Sequence, residues 1–132
     1  MLQPVSGKVI PREEIPDDSF SAGVLGDGVG IVPDGDTVYA PFDSKVSHIA
    51  SSRHAIGLDG SGLELLIHIG IDTVDMSGDG FTCFINEGDS VRTGQPLIAF
   101  DREKIKNAGH SDIVAVLLTN SDDLENVVCG TR

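Results

Sequence analysis

Short apolar runs recur along the chain, and polar or glycine-rich residues bound each of them closely. Residues 45–50 alternate between polar and apolar side chains, as half-buried strands do, and residues 63–71 form the most apolar segment. Turn-forming residues separate several of the runs, as at residues 33–36. The pattern predicts strands at residues 29–32, 38–42, 45–50, 55–58, 63–71, 81–85, 96–100 and 113–119.

Helical patterns are scarce by comparison. Residues 102–108 predict two helical turns, with Asp101 as the N-cap and Gly109 as the residue that stops the helix. Residues 16–20 predict one further turn. We therefore expect an all-β fold, a small antiparallel β-sandwich resembling a barrel-sandwich, with one or two short helical turns. With 132 residues, a single domain over residues 1–125 is expected, followed by a final strand or loose tail over residues 126–132.

The charge balance narrows the classes of partner. Nine Lys and Arg oppose 21 Asp and Glu, which gives a formal net charge of −12. Binding to nucleic acid or to anionic lipid requires clustered cations, so neither partner is expected. No apolar run reaches the roughly 18–20 residues that a membrane span needs. Two cysteines and the lack of a secretory signal pattern at the N-terminus favour a soluble, reduced, cytoplasmic protein.

The most apolar segment carries one imidazole, that of His68. Side chains alternate along a strand, so His68 shares a face with Glu64, Leu66 and Gly70. Gly70 leaves space beside the ring and lets a backbone carbonyl approach Nδ1, and Asp72 on the same face adds a carboxylate. These features fit a structural histidine and a chemically active one about equally well.

A second imidazole, His54, stands at the start of the preceding predicted strand. If residues 55–58 and 63–68 form a hairpin about a turn at residues 59–62, His54 faces residue 67. A β-bulge could shift this pairing by one residue. The two imidazoles are then neighbours, several ångströms apart. Such a pair suits proton transfer, metal binding or the holding of a phosphoryl group. His48 and His110 lack this context and are expected to be ordinary histidines.

The stretch from Gly62 to Val74, which contains the sequence His68-Ile69-Gly70-Ile71, resembles the active-site signature of glucose-type enzyme IIA of the bacterial phosphoenolpyruvate-dependent sugar phosphotransferase system. The likeness continues in order along nearly the whole chain. Its other landmarks are residues 4–11, 26–31, 39–43, 54–58, 78–81, 87–91 and 119–122.

The resemblance implies specific residue roles. His68 matches the family's phosphoacceptor, which is modified at Nε2, and His54 matches the second histidine, which contacts the phosphoryl group. Ser52 matches a hydroxyl residue that orients the histidines, and Gly70 and Asp72 lie where they would help to orient the phosphate. The positions implied for the docking face are Asp27, Val29, Asp72 and Val74.

The resemblance also implies partners and a reaction. The phosphoryl donor is the carrier HPr, phosphorylated on a histidine, and the acceptor is a cysteine of enzyme IIB, which works with the membrane enzyme IIC. The chain is then a phosphotransferase component that forms a phosphohistidine intermediate during sugar uptake. A monomer is expected, with no metal or nucleotide cofactor, since imidazole itself carries the phosphoryl group.

Two alternatives come from other classes of protein. A zinc peptidase of lysostaphin-like type would use His54, His68 and Asp72 as ligands, but the H-x-H pair of those enzymes is missing. Residues 40–46 and 88–98 resemble segments of lipoyl- or biotinyl-type carrier domains. Such a carrier needs an exposed lysine at a hairpin tip, and Lys45 lies in a different pattern. Cys83 is expected to be structural, because no basic neighbour lowers its pKa.

Overall fold

The computed structural model describes residues 2–22, 27–71 and 73–119, with the backbone alone at residues 18, 19, 74 and 75. Ten strands dominate: β1 Gly7–Pro11, β2 Asp27–Pro33, β3 Thr37–Tyr39, β4 Ser44–Ile49, β5 Ala55–Gly60, β6 Leu63–Ile69, β7 Phe81–Cys83, β8 Ser90–Val91, β9 Pro96–Phe100 and β10 Val114–Leu118. Two α-helices, α1 Asp18–Ser21 and α2 Arg102–Asn107, and two 3₁₀ turns, Arg12–Glu14 and Thr73–Met76, complete the described elements.

The strands form two antiparallel sheets. A seven-stranded sheet has the order β1-β2-β10-β6-β5-β4-β8, and a three-stranded sheet has the order β3-β9-β7. The apolar side chains between them form the main core, in which Ile31, Ile56 and Ile67 of the large sheet pack with Leu97 and Ile98 of the small one. The expectation of an antiparallel β-sandwich is confirmed.

The eight predicted strands are all present, although several are shorter than predicted. The pattern missed β1 and β8. In β1 only two adjacent apolar residues stand between Gly7 and Pro11, and β8 has two residues, so neither shows a period of two. The predicted tail at residues 126–132 lies outside the described residues.

The register of the β5–β6 hairpin differs from the prediction. Gly60 pairs with Leu63 and Ala55 pairs with His68, so His54 stands opposite Ile69 and not residue 67. The turn has only two residues, Ser61 and Gly62, both with positive φ (53° and 78°). Positive φ at both positions gives a turn of type I′, whose twist matches the twist of the strands. Gly60, predicted as part of the turn, therefore extends β5.

The helix α2 follows its predicted limits closely. The carboxylate of Asp101 accepts a hydrogen bond from the backbone N–H of Lys104 at 3.1 Å, which satisfies one of the free donors of the first turn. Gly109 has φ +87° just after the helix, in the left-handed conformation typical of a helix stop. Ile105 fixes the helix to the main core.

We expect Asp101→Ala to lower the free energy of unfolding by about 1 kcal/mol, since alanine cannot cap the helix. Asp101→Asn is the matched control, because asparagine retains a capping oxygen and should restore most of the loss. Urea unfolding followed by circular dichroism measures both. Equal stability of the alanine variant and the wild type would contradict this role of Asp101.

Candidate functional site

Strand β6 presents His68 on the outer face of the large sheet. Leu65, Ile67 and Ile69 alternate with it and are buried in the main core. His68 is only partly buried, as is Leu66 on the same face. The alternation predicted from the sequence therefore places this imidazole away from the core and beside a separate set of contacts.

Small residues flank His68 across the sheet. Ala55 of β5 and Ala115 of β10 are its two cross-strand partners, and Gly30 of β2 follows in the same row. A Cβ atom at Gly30 would lie 2.9 Å from Cγ1 of Ile15, so only glycine leaves room for that side chain. This shallow row allows residues 12–21 to pack over the sheet next to the imidazole.

The orientation of the His68 ring is fixed by a backbone oxygen. Nδ1 of His68 lies 2.8 Å from the carbonyl oxygen of Gly70. A carbonyl oxygen only accepts hydrogen bonds, so Nδ1 carries the proton and Nε2 keeps its lone pair. Gly70 has φ +77°, and a Cβ atom there would lie 2.4 Å from Cγ2 of Thr73. Glycine is thus required at the residue that selects the tautomer.

His54 lies directly against His68. The two ring centroids are 4.8 Å apart and the rings meet edge to face at 77°. Phe81 of the main core packs on the other side of His54, with a centroid distance of 6.5 Å. The predicted proximity of the two imidazoles is therefore present, although the register that produces it is different.

Burial keeps His54 uncharged. The side chain is 7% exposed, and its Nδ1 is buried without a hydrogen-bond partner among the described residues. Burial is the larger cause, and the charge of a protonated His68 the smaller one, of a pKa lowered to about 4. At neutral pH, His54 is consequently a neutral imidazole in edge-to-face contact with His68.

Phe20 completes the surroundings of His68. Its ring centroid is 5.0 Å from that of His68, and its side chain is 5% exposed. Phe20 belongs to a second apolar cluster on the outer face of the large sheet, formed with Ile15, Ile71, Ala115 and Leu117. The sequence predicts a helical turn at residues 16–20, close to α1, but gives no sign that this turn contacts His68.

Arg12 holds the segment that carries Phe20. Its Nε donates to the carbonyl oxygen of Ser21 at 3.1 Å, and its guanidinium also pairs with the carboxylate of Asp27. That carboxylate accepts a second hydrogen bond from the backbone N–H of Gly28 at 3.0 Å. Asp27, predicted for the docking face, is thus a half-exposed group that ties α1 to the start of β2.

The remaining predicted site residues are Ser52, Val29, Asp72 and Val74. Ser52 lies in the turn between β4 and β5, partly buried, two residues before His54. Val29 pairs with Val116 and packs against the main core, so the structure does not bring its side chain to the face of His68. Asp72 and the side chain of Val74 lie outside the described residues.

The sequence places His48, Cys83 and Lys45 outside the site, and their surroundings are those of ordinary surface or structural residues. His48 is exposed, with Nδ1 3.4 Å from the carboxylate of Glu87. The thiol of Cys83 donates to the carbonyl oxygen of Ile85 at 3.2 Å. Lys45 lies within β4 and not at a hairpin tip, contrary to the need of a lipoyl-type carrier. Within residues 2–22, 27–71 and 73–119, no group of three or more His, Cys, Asp or Glu could hold a metal ion.

The buried imidazole makes stability depend on pH. The pKa of His54 is about 4 in the folded protein and near 6.5 in an unfolded chain, so between these values the unfolded state binds the additional proton. We expect the free energy of unfolding to fall as the pH is lowered from about 6.5 to about 4. Urea titrations should show a shallower fall over this range for His54→Gln than for the wild type measured in the same buffers. Identical slopes would contradict a buried, neutral His54.

Two comparisons with known proteins place the chain in one family. Residues 1–124 match the family described as phosphoenolpyruvate-dependent sugar phosphotransferase system, EIIA 1. The structure is similar to glucose permease IIA from Mycoplasma capricolum, with a TM-score of 0.87 and 32% sequence identity. The match covers 92% of this chain and 79% of the other.

No helix in the described residues is long and apolar enough to cross a membrane. The chain belongs to the EIIA 1 family and is a phosphocarrier component of the sugar phosphotransferase system.

Proposed function

We propose that His68 is the phosphoacceptor, which takes the phosphoryl group from phosphorylated HPr and passes it to a cysteine of enzyme IIB. The observation that carries this proposal is the hydrogen bond between Nδ1 of His68 and the Gly70 carbonyl oxygen. It leaves the lone pair on Nε2 of a ring that is only partly buried. A neutral imidazole with one fixed lone pair is a suitable nucleophile at neutral pH.

The chemistry requires little beyond position and charge. The Nε2 lone pair of His68 attacks phosphorus as the bond from phosphorus to the donor's imidazole nitrogen breaks, and that nitrogen keeps the bonding electron pair. The His68 ring then gains positive charge, which the Gly70 carbonyl dipole stabilises through Nδ1–H. In the second step, the thiolate of enzyme IIB attacks phosphorus, and the N–P bond electrons return to Nε2.

His54 has a supporting role in this proposal. Its Nδ1 is buried without an acceptor, so the proton is better placed on Nε2, because a buried N–H without a partner is costly. A neutral ring with Nε2–H donates a hydrogen bond to a phosphoryl oxygen without adding a charge. The low pKa of His54, about 4, ensures that this form persists at cytoplasmic pH.

The docking face is proposed to be the outer face of the large sheet around His68. Leu66 supplies partly exposed apolar surface there, and Arg12 ties the half-exposed Asp27 to the segment that carries the buried Phe20. The net charge of −12 favours a partner that presents cations and raises the rate of encounter at low salt. The protein is proposed to act in the cytoplasm as a monomer, without a cofactor of its own.

Incubation with phosphoenolpyruvate, enzyme I and HPr should add one acid-labile phosphate to the wild-type protein. His68→Gln should take up none above background, because glutamine lacks the nucleophilic ring nitrogen. His48→Gln is the matched control, since it removes an exposed imidazole and should keep full labelling. Intact mass at neutral pH measures the phosphate. Labelling of the His68→Gln variant would overturn the assignment.

Loss of His54 should affect the second transfer more than the first. His54→Gln should still accept phosphate from HPr but deliver it to enzyme IIB roughly 100-fold more slowly, because the flexible amide does not hold its N–H where the rigid ring holds Nε2–H, and a misplaced donor to a transferring group costs about that much. Rapid-quench transfer from the purified phosphoprotein to enzyme IIB gives the rate. Wild-type delivery by a folded His54→Gln variant would remove His54 from the mechanism.

A further inference from the structure

Thr73 is a fully buried polar residue next to the site, with 0% exposure. Its Oγ1 donates to the carbonyl oxygen of Ile69 at 2.6 Å. Its methyl group, Cγ2, occupies the space that a side chain at Gly70 would need. Thr73 thus contacts both residues that follow His68 in the chain.

The Ile69–Gly70 and Gly70–Ile71 peptide groups have all their polar atoms hydrogen-bonded. In the peptide between Ile69 and Gly70, the oxygen accepts from Thr73 and the N–H donates to Ile113 at 2.9 Å. In the next peptide, the N–H of Ile71 donates to the carbonyl oxygen of Ser111 at 3.0 Å, and the Gly70 oxygen accepts from His68. The side chains that hydrogen-bond to these two peptide groups are therefore those of Thr73 and His68.

We propose that Thr73 is a positioning residue for phosphoryl transfer. Its hydroxyl fixes the Ile69–Gly70 peptide, and through it the direction of the Gly70 carbonyl that holds the proton on Nδ1 of His68. Glycine has unusual backbone freedom, so this carbonyl needs restraint from outside the residue. The effect on transfer rests on the proposed function of His68, whereas the effect on the tautomer does not.

Thr73→Val tests the hydroxyl, because valine has nearly the same shape but puts a methyl group, which cannot donate, where Oγ1 lies 2.6 Å from the Ile69 carbonyl oxygen. We expect ¹⁵N NMR of the unphosphorylated variant to show His68 with a measurable Nε2–H population, where the wild type has the Nδ1–H form. Phosphorylation by HPr should slow about tenfold, which corresponds to the loss of one buried hydrogen bond. Thr73→Ser keeps the hydroxyl and should restore both the tautomer and the rate.

An unchanged tautomer in Thr73→Val would overturn the proposal, and so would a serine variant as impaired as the valine variant. If Thr73→Val does not fold, Thr73→Ala and Thr73→Ser form the replacement pair, which differs only in the hydroxyl. The alanine variant must then show the altered tautomer and the serine variant the original one. Failure of the wild-type protein to accept phosphate would refute the proposed function instead, and the tautomer measurement would still decide the role of Thr73.

Discussion

The hydrogen bond from Nδ1 of His68 to the Gly70 carbonyl oxygen is the contact on which the proposed chemistry of this site depends. An imidazole with a free choice of tautomer presents its lone pair on either nitrogen, but this contact confines the proton to Nδ1. The contact requires a sharp change of chain direction immediately after β6, with φ +77° at Gly70. The peptide groups on both sides of Gly70 are held by hydrogen bonds to Ser111, Ile113 and Thr73.

The two faces of the large sheet have different roles: the inner face forms the main core, and the outer face carries His68. The inner face packs with the small sheet into the main core, while the outer face carries a smaller apolar cluster that includes Phe20. His68 lies in the outer row, between Ala55 and Ala115, where its ring contacts protein on two sides. The sheet thus holds the partly buried imidazole on the face opposite the main core.

Local patterns were sufficient to predict much of this arrangement. Alternation along residues 63–71 gave the correct face for His68, and the spacing to His54 gave the pair of imidazoles. The same counting misplaced the register, because the positive φ at Ser61 that confines the turn to two residues is not evident from a serine. The Nδ1 contact with Gly70 was anticipated because it spans only two residues.

Contacts between distant segments were not predictable in this way. The position of Phe20 depends on residues 12–21 crossing the sheet, and the tether from Arg12 to Ser21 and Asp27 forms only once they do. Val29 was linked to the docking face by family resemblance alone, whereas its cross-strand partner Val116 shows that it faces the core. The proposed role of Thr73 depends on the orientation of two peptide planes, for which residue types give no signal.

The most direct test of the account is the site of attachment in the phosphorylated wild-type protein. Coupling between ³¹P and ¹⁵N, recorded on protein phosphorylated by HPr with labelled histidine, identifies the nitrogen bonded to phosphorus. The account predicts a single coupling, to Nε2 of His68, with Nδ1 still protonated. Phosphorus on Nδ1 of His68, or on either nitrogen of His54, would contradict it.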